Sequence, residues 1–273
     1  PHSRKVHVGA NGNRVREAEP MTDSRRDVAA TFGGVAGEYA AARPTYPAAL
    51  VDWLADVAPA RDLAWDCGCG SGQASVALAE RFAHVVATDA SSAQIAAAAP
   101  HDRVTYRVAS AEHSGLATGS VDAVTIAQAL HWFPLEQFYA EVRRVARPGA
   151  VVAAWSYHWL TTGDDAIDAI VDQLATGTLA GYWPAGREHV DNEYADLDFP
   201  FPRIDPPPLA MAQDWTLDRL LTYLRSWSSV SRYRDQHGVD PVSLVAEELA
   251  SRWGDPSAAR PVRWPLTVLA GRT

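Results

Sequence analysis

Cysteine is scarce in this chain: two residues in 273, Cys67 and Cys69, both inside one glycine-rich turn. That count excludes a disulfide framework and leads to the expectation of a reducing, cytoplasmic compartment. The C-x-C pair has no further cysteine to complete a zinc site, so no metal is expected. No apolar run approaches the ~20 residues needed to span a bilayer as a helix, and no membrane role is expected. Basic residues are also short, 24 Lys and Arg against 33 Asp and Glu, for a formal charge of −9. Surfaces that track phosphates carry an excess of Lys and Arg, so nucleic acid is set aside and a small-molecule substrate favoured. Arg143, Arg144 and Arg147 form a local basic group, which a solvated helix with a basic last turn explains.

The first 20 residues are polar, mixed in charge and aperiodic, and contain no apolar h-region of a secretory signal. Met21-Thr22-Asp23 resembles a natural start, and residues 1–30 are read as a flexible leader or a remnant of cloning. Residues 31–273 have the length of one domain with a lid or insertion. Neither internal repeats nor low-complexity tracts occur.

The most informative segment is Leu63-Ala64-Trp65-Asp66-Cys67-Gly68-Cys69-Gly70-Ser71-Gly72-Gln73. An apolar strand runs there into a turn with glycines at alternate positions. Lacking Cβ atoms, Gly68, Gly70 and Gly72 let the main chain approach a ligand, and the following helix (74–82) offers free N–H groups. A second strand, 84–88, leads to Asp89, about 20 residues beyond the loop. A carboxylate at that place accepts bonds from both ribose hydroxyls and repels a 2′-phosphate. Nicotinamide or flavin dinucleotides and S-adenosylmethionine all suit such a unit. The dinucleotide fingerprint is G-x-G-x-x-G, however, whereas this run is G-x-G-x-G with Gln at position 73.

The pattern D-x-G-x-G-x-G resembles motif I of the class I S-adenosylmethionine-dependent methyltransferases. Further segments match that family in order: a third strand at 104–108 followed by Ser110-Ala111-Glu112, a fourth strand within 119–133, a helix at 135–146, and an Arg147-Pro148-Gly149 turn into a fifth strand at 151–156. Y-x-x-x-R-P-x-Y-P at 39–47 and A-L-H-W-F at 129–133 are similar to the trans-aconitate-methyltransferase-like branch, as are Tyr182-Trp183-Pro184, Phe199-Pro200-Phe201, Ser226-Trp227-Ser228 and Trp264-Pro265-Leu266. The resemblance covers 31–272. It implies a Rossmann-like α/β fold, a seven-stranded mostly parallel sheet with helices on both faces and a small helical, aromatic lid. It implies S-adenosyl-L-methionine as cofactor, with Asp66 at its ammonium, Asp89 at the ribose, and Tyr39, Arg43, Gln73, Ala90, Ser110, Ala111, Glu112 and Gln128 also in contact. Ser110 stands where many members have Asp, which leaves Glu112 or backbone atoms for the adenine amino group.

Outside the cofactor-binding core, 48–157, the chain departs from a minimal methyltransferase. A helix at 48–57 should close over the cofactor. Lid segments are expected at 158–200 and 215–255, with an amphipathic helix at 164–179. Others are expected at 217–228, capped by Asp214 or Thr216, and at 241–253 ending at Gly254. Closing strands are expected near 207–214 and 262–270. His131 is a candidate base, acceptor contact or cofactor wall, and His158 a second catalytic candidate. Tyr46, Trp132, Trp155, Tyr157, Trp183 and Arg187 are candidate acceptor contacts. Strand alternation puts Trp155 and Tyr157 on one face and His158 on the other, and an arginine such as Arg43 or Arg187 suits an acceptor carboxylate. Asp122 reads as a turn cap or ion-pair partner as readily as a catalytic group. The expected reaction is methyl transfer to oxygen of a small carboxylic acid, by analogy with methyl-ester-forming members of the branch. N- or C-methylation, a lyase or cyclase on the same cofactor, and a non-catalytic binding protein remain open. The aromatic segment can cover the site or form a dimer surface, so monomer and homodimer are both open.

Overall fold

The computed structural model describes residues 45–273. The leader, Tyr39 and Arg43 lie outside the described residues. Seven strands form one sheet in the order β3-β2-β1-β4-β5-β7-β6. They are β1 (Leu63–Cys67), β2 (His84–Asp89), β3 (Val104–Val108), β4 (Val121–Ala127), β5 (Ala146–Tyr157), β6 (Ala210–Trp215) and β7 (Arg260–Arg272). The first five run parallel, and β7 runs antiparallel to both β5 and β6. The order reverses between β1 and β4, and a crevice opens at the carboxyl ends of the strands at such a switch point.

Local sequence explains the elements. The α1 helix (Ala48–Val57) follows Pro47 and buries Leu50, Val51, Leu54 and Ala55, one face at helical spacing. β1 and β4 are apolar almost throughout because a central parallel strand is covered on both faces. The α2 helix (Gln73–Leu78) is shorter than its apolar pattern suggests, and α3 (Ser92–Ala96) is a short helix capped by the Ser91 hydroxyl. The α4 helix (Leu135–Val145) turns Phe138, Tyr139, Val142 and Val145 to the sheet. The Arg147-Pro148-Gly149 segment belongs to the start of β5, where the pairing with β4 shifts register.

Asp122 is structural. It is fully buried, accepts from the backbone N–H groups of Asp62 and Leu63, and meets Arg147 at 2.7 Å. On the same side of the molecule, Glu141 takes Ser114 and Arg144, which hold its carboxyl down at about 2 despite burial.

The segment after β5 packs as a unit against β6 and β7. The expected helix at 164–179 starts as α5 (Asp165–Asp172), capped by Asp164, and widens into a π turn (Gln173–Thr178). Next come α6 (Arg187–Asp191) and α7 (Leu217–Arg225), whose first turn Thr216 caps. A further helix, α8 (Ser228–His237), has no counterpart in the sequence expectations because its apolar spacing is weak. The last helix, α9 (Ser243–Trp253), stops at Gly254, where φ is +79°. Leu174, Leu220, Leu224, Trp253 and Trp264 anchor the core of this unit. No helix among the described residues is long and apolar enough to cross a membrane.

Candidate active site

A cleft of about 610 Å³ opens at the carboxyl ends of β1, β2 and β4. Its floor is the glycine loop. Gly68 and Cys69 donate backbone N–H groups to the Thr88 carbonyl at 2.8 and 3.0 Å, which fastens the loop to the end of β2. All three loop glycines have positive φ, +71°, +54° and +88° at Gly68, Gly70 and Gly72. A Cβ on Gly68 would lie 2.7 Å from the Ala129 Cβ, and one on Gly72 would collide with the Tyr106 ring. The alternation therefore serves both backbone conformation and close approach of neighbouring elements. The thiols of Cys67 and Cys69 are buried and pushed well above their usual range by loss of solvent, which leaves them unreactive packing groups.

Asp89 sits in the cleft at the end of β2. Oδ2 accepts from the N–H of Gly70 at 2.9 Å and Oδ1 from that of Ser91 at 2.8 Å. Burial raises its carboxyl above the ordinary value, opposed by those two N–H groups. Each oxygen keeps acceptor capacity for a further donor. Gly68, Gly70, Gly72, Gln73, Ala90, Ser110, Ala111, Glu112 and Gln128 join Asp89 in the lining. Gln128 adopts a left-handed backbone, φ +55°, at the end of β4. Its N–H donates to the Trp155 carbonyl at 2.9 Å and its Nε2 to the Tyr157 carbonyl at 3.3 Å.

Two expected contacts do not reach the cleft. Asp66 is fully buried behind the loop, where its carboxylate accepts from the hydroxyls of Ser75 and Thr125. It ties β1 to α2 and β4, and burial raises its carboxyl to about 6. It is not among the residues that line the cleft. Trp155 is likewise buried, edge-on to Tyr46 at 5.5 Å, and its indole N–H has no partner among the described residues. Tyr157, placed on the same face by alternation, does line the cleft, and so does His158, because the chain leaves the sheet after Tyr157.

The opposite half is aromatic. Tyr46, His131, Trp132, Trp183 and Arg187 all line it. Trp159 and Trp227, whose roles the sequence left open, complete a triangle with Trp183, the rings 5.3 to 5.6 Å apart. The Arg187 guanidinium lies over Trp159 at 4.4 Å and Trp183 at 4.8 Å. Its Nε donates to Asp191 at 2.8 Å, and the same carboxylate bonds His158 Nε2 at 2.8 Å. Its Nη2 is buried and has no partner among the described residues. His131 is held through Nδ1 by the Tyr194 hydroxyl at 3.0 Å, and burial, with the charges of His189 and Arg187, lowers it to about 4. Burial lowers His158 as well, and Arg187 adds to the effect.

Residues 65–154 match the family model described as a methyltransferase domain. A provisionally named methyltransferase of Dictyostelium discoideum is 34% identical over 80% of this chain and 84% of its own length. The chain belongs to the S-adenosylmethionine-dependent methyltransferases. Among solved structures, a provisionally named type II methyltransferase from Anaeromyxobacter dehalogenans is 51% identical, with a TM-score of 0.81 over 84% of this chain and 97% of that one. A malonyl-[acyl-carrier protein] O-methyltransferase of Dechloromonas aromatica is 38% identical over 38% of this chain and 39% of its own length.

S-adenosyl-L-methionine is the cofactor of this methyltransferase, and the cleft suits it. A cradle of three glycines presents bare backbone, and the Asp89 carboxylate, already oriented by two N–H groups, offers acceptors for ribose hydroxyls. When bound, the cofactor supplies a methyl group on a sulfonium with a neutral thioether as leaving group.

Proposed function

We propose that this methyltransferase acts on a small molecule, esterifies an oxygen of a small carboxylic acid, and stands in the trans-aconitate-methyltransferase-like branch. One observation carries the acceptor class: Arg187 Nη2, buried and unpartnered in the aromatic half of the cleft. A buried guanidinium N–H without an acceptor costs free energy, and a carboxylate is the planar anion that satisfies it. Trp159 and Trp183 fix the guanidinium plane, while Asp191 takes Nε and leaves the other edge of the fork open.

Proton chemistry supports the same reading. A carboxylic acid arrives ionised at neutral pH and needs no base, whereas a phenol or amine must shed a proton. His131, lowered to about 4, is a weak base there, and His158 is engaged by Asp191. Both histidines are therefore contacts that hold the acceptor. The remaining work of the chain is alignment and exclusion of water by Tyr46, Trp132 and the three clustered tryptophans. The O-methyltransferase named among the relatives points the same way.

The test incubates the purified full chain with S-adenosyl-L-methionine and panels of aliphatic and aromatic carboxylic acids, phenols and amines. The expected products are a base-labile methyl ester and S-adenosylhomocysteine, with the matching carboxamides inert. Methylation confined to amines or phenols, or release of methylthioadenosine, overturns the reading.

A further inference from the structure

Among the described residues that line the cleft, Arg187 is the one lysine or arginine, set against two acids, Asp89 and Glu112. The histidines of the aromatic half add no positive charge at neutral pH, because burial lowers His131 to about 4 and lowers His158 as well. Arg187 itself is partly engaged. Its Nε serves Asp191 at 2.8 Å, which leaves the other edge of the guanidinium, with the buried Nη2, for one further carboxylate. A second carboxylate on the same molecule would meet no cation there, and a desolvated charge without a partner is strongly disfavoured.

The surfaces beside the guanidinium are flat and apolar. Arg187 lies over the Trp159 and Trp183 rings, and both of these meet Trp227. Polar atoms of this wall are engaged within the protein: the Trp183 indole N–H donates to the Ala175 carbonyl at 2.9 Å, and the Tyr223 hydroxyl accepts from the buried Trp264 indole at 3.1 Å. Such rings are rigid, and offset or edge contacts with another ring add to the apolar area they bury. A polar body in the same place would give up its water without gaining hydrogen bonds.

We propose that the acceptor is an aromatic monocarboxylic acid, with its single carboxylate on Arg187 and its ring against Trp159, Trp183 and Trp227. The inference rests on the carboxylate reading of this site and narrows it. Anion and ring requirements come from one geometry, since the tryptophans that hold the guanidinium also form the wall beside it. An anion seated at Nη2 therefore brings the carbons behind it to those rings.

The purified full chain, saturated with S-adenosyl-L-methionine, is assayed on three acids of equal carbon number. Phenylacetate carries a ring, octanoate a chain and suberate a second carboxylate. kcat/KM for methyl ester formation is expected to fall in that order, with suberate at least about a hundredfold below octanoate. Trp227→Leu should lower the value about tenfold for phenylacetate and at most about twofold for octanoate. Should Trp227→Leu not fold, the wild-type series decides by itself. Suberate as fast as octanoate, phenylacetate no faster than octanoate, or ester formed only from multiply charged acids overturns the inference and leaves the carboxylate reading standing. No ester from any carboxylic acid overturns that reading, and the inference with it.

Discussion

The backbone N–H of Gly70 donates to Oδ2 of Asp89 at 2.9 Å, so the glycine loop and the acid that follows it by 19 residues form one rigid unit. Removing the carboxylate releases the loop N–H groups of Gly70 and Ser91 as well as the proposed ribose acceptor. Asp89→Ala is expected to weaken S-adenosylhomocysteine binding by about 1–3 kcal/mol. Calorimetric titration measures this, and unchanged affinity would remove Asp89 from the site.

Gly68 and Gly163 have nearly equal φ, +71° and +73°, but only Gly68 is crowded, by Ala129 and Phe133. Alanine at either position carries the left-handed cost of ~1–2 kcal/mol. Gly68→Ala adds overpacking of typically ~1–3 kcal/mol. Denaturant unfolding of the two variants should therefore differ, with Gly68→Ala the less stable. Equal stabilities would show that the loop yields freely.

Gly186, φ +86°, would place a Cβ 3.2 Å from the Trp132 ring and 3.4 Å from His131. Gly186→Ala should shift Arg187 outward, raising KM for the acceptor and leaving cofactor affinity intact. A matching loss of cofactor affinity would instead locate the damage in the glycine-loop half.

Asp66 and His131 pull the pH dependence of stability in opposite directions. The carboxyl of Asp66 rises from 3.8 to about 6 on folding, so between those values the folded state keeps a proton that the unfolded chain has lost. Stability from this group therefore falls as pH rises through that window, by on the order of 3 kcal/mol. His131 drops from 6.5 to about 4, so its contribution is lost as pH falls through that range. Unfolding free energies of Asp66→Asn should lack the first trend and those of His131→Gln the second. Parallel pH curves for wild type and Asp66→Asn would contradict the burial of an ionisable group there.

The glycine-loop half of the cleft was legible because its parts are contiguous. A strand, a turn that only glycine permits, a helix and an acid at the next strand's end are set by local backbone chemistry, and Gly68, Gly70, Gly72 and Asp89 all reach the cleft. Asp66 belongs to the same motif but is buried and does not line the cleft. Its direction depends on Ser75 and Thr125, which arrive from α2 and from β4. Trp155, two residues before the end of β5, stays buried, whereas the strand ends at Tyr157 and the chain enters the cleft there.

By itself the sequence determined the succession of the seven strands and the glycine loop between the first of them and α2, because period, turn chemistry and glycine stereochemistry act over a few residues. Only the tertiary structure decided the aromatic half of the cleft. Trp159, Trp183 and Trp227 become one wall, and His131 meets Tyr194, through burial of apolar surface between segments tens of residues apart. Burial of that kind is non-directional, so it leaves no local pattern from which its partners can be read.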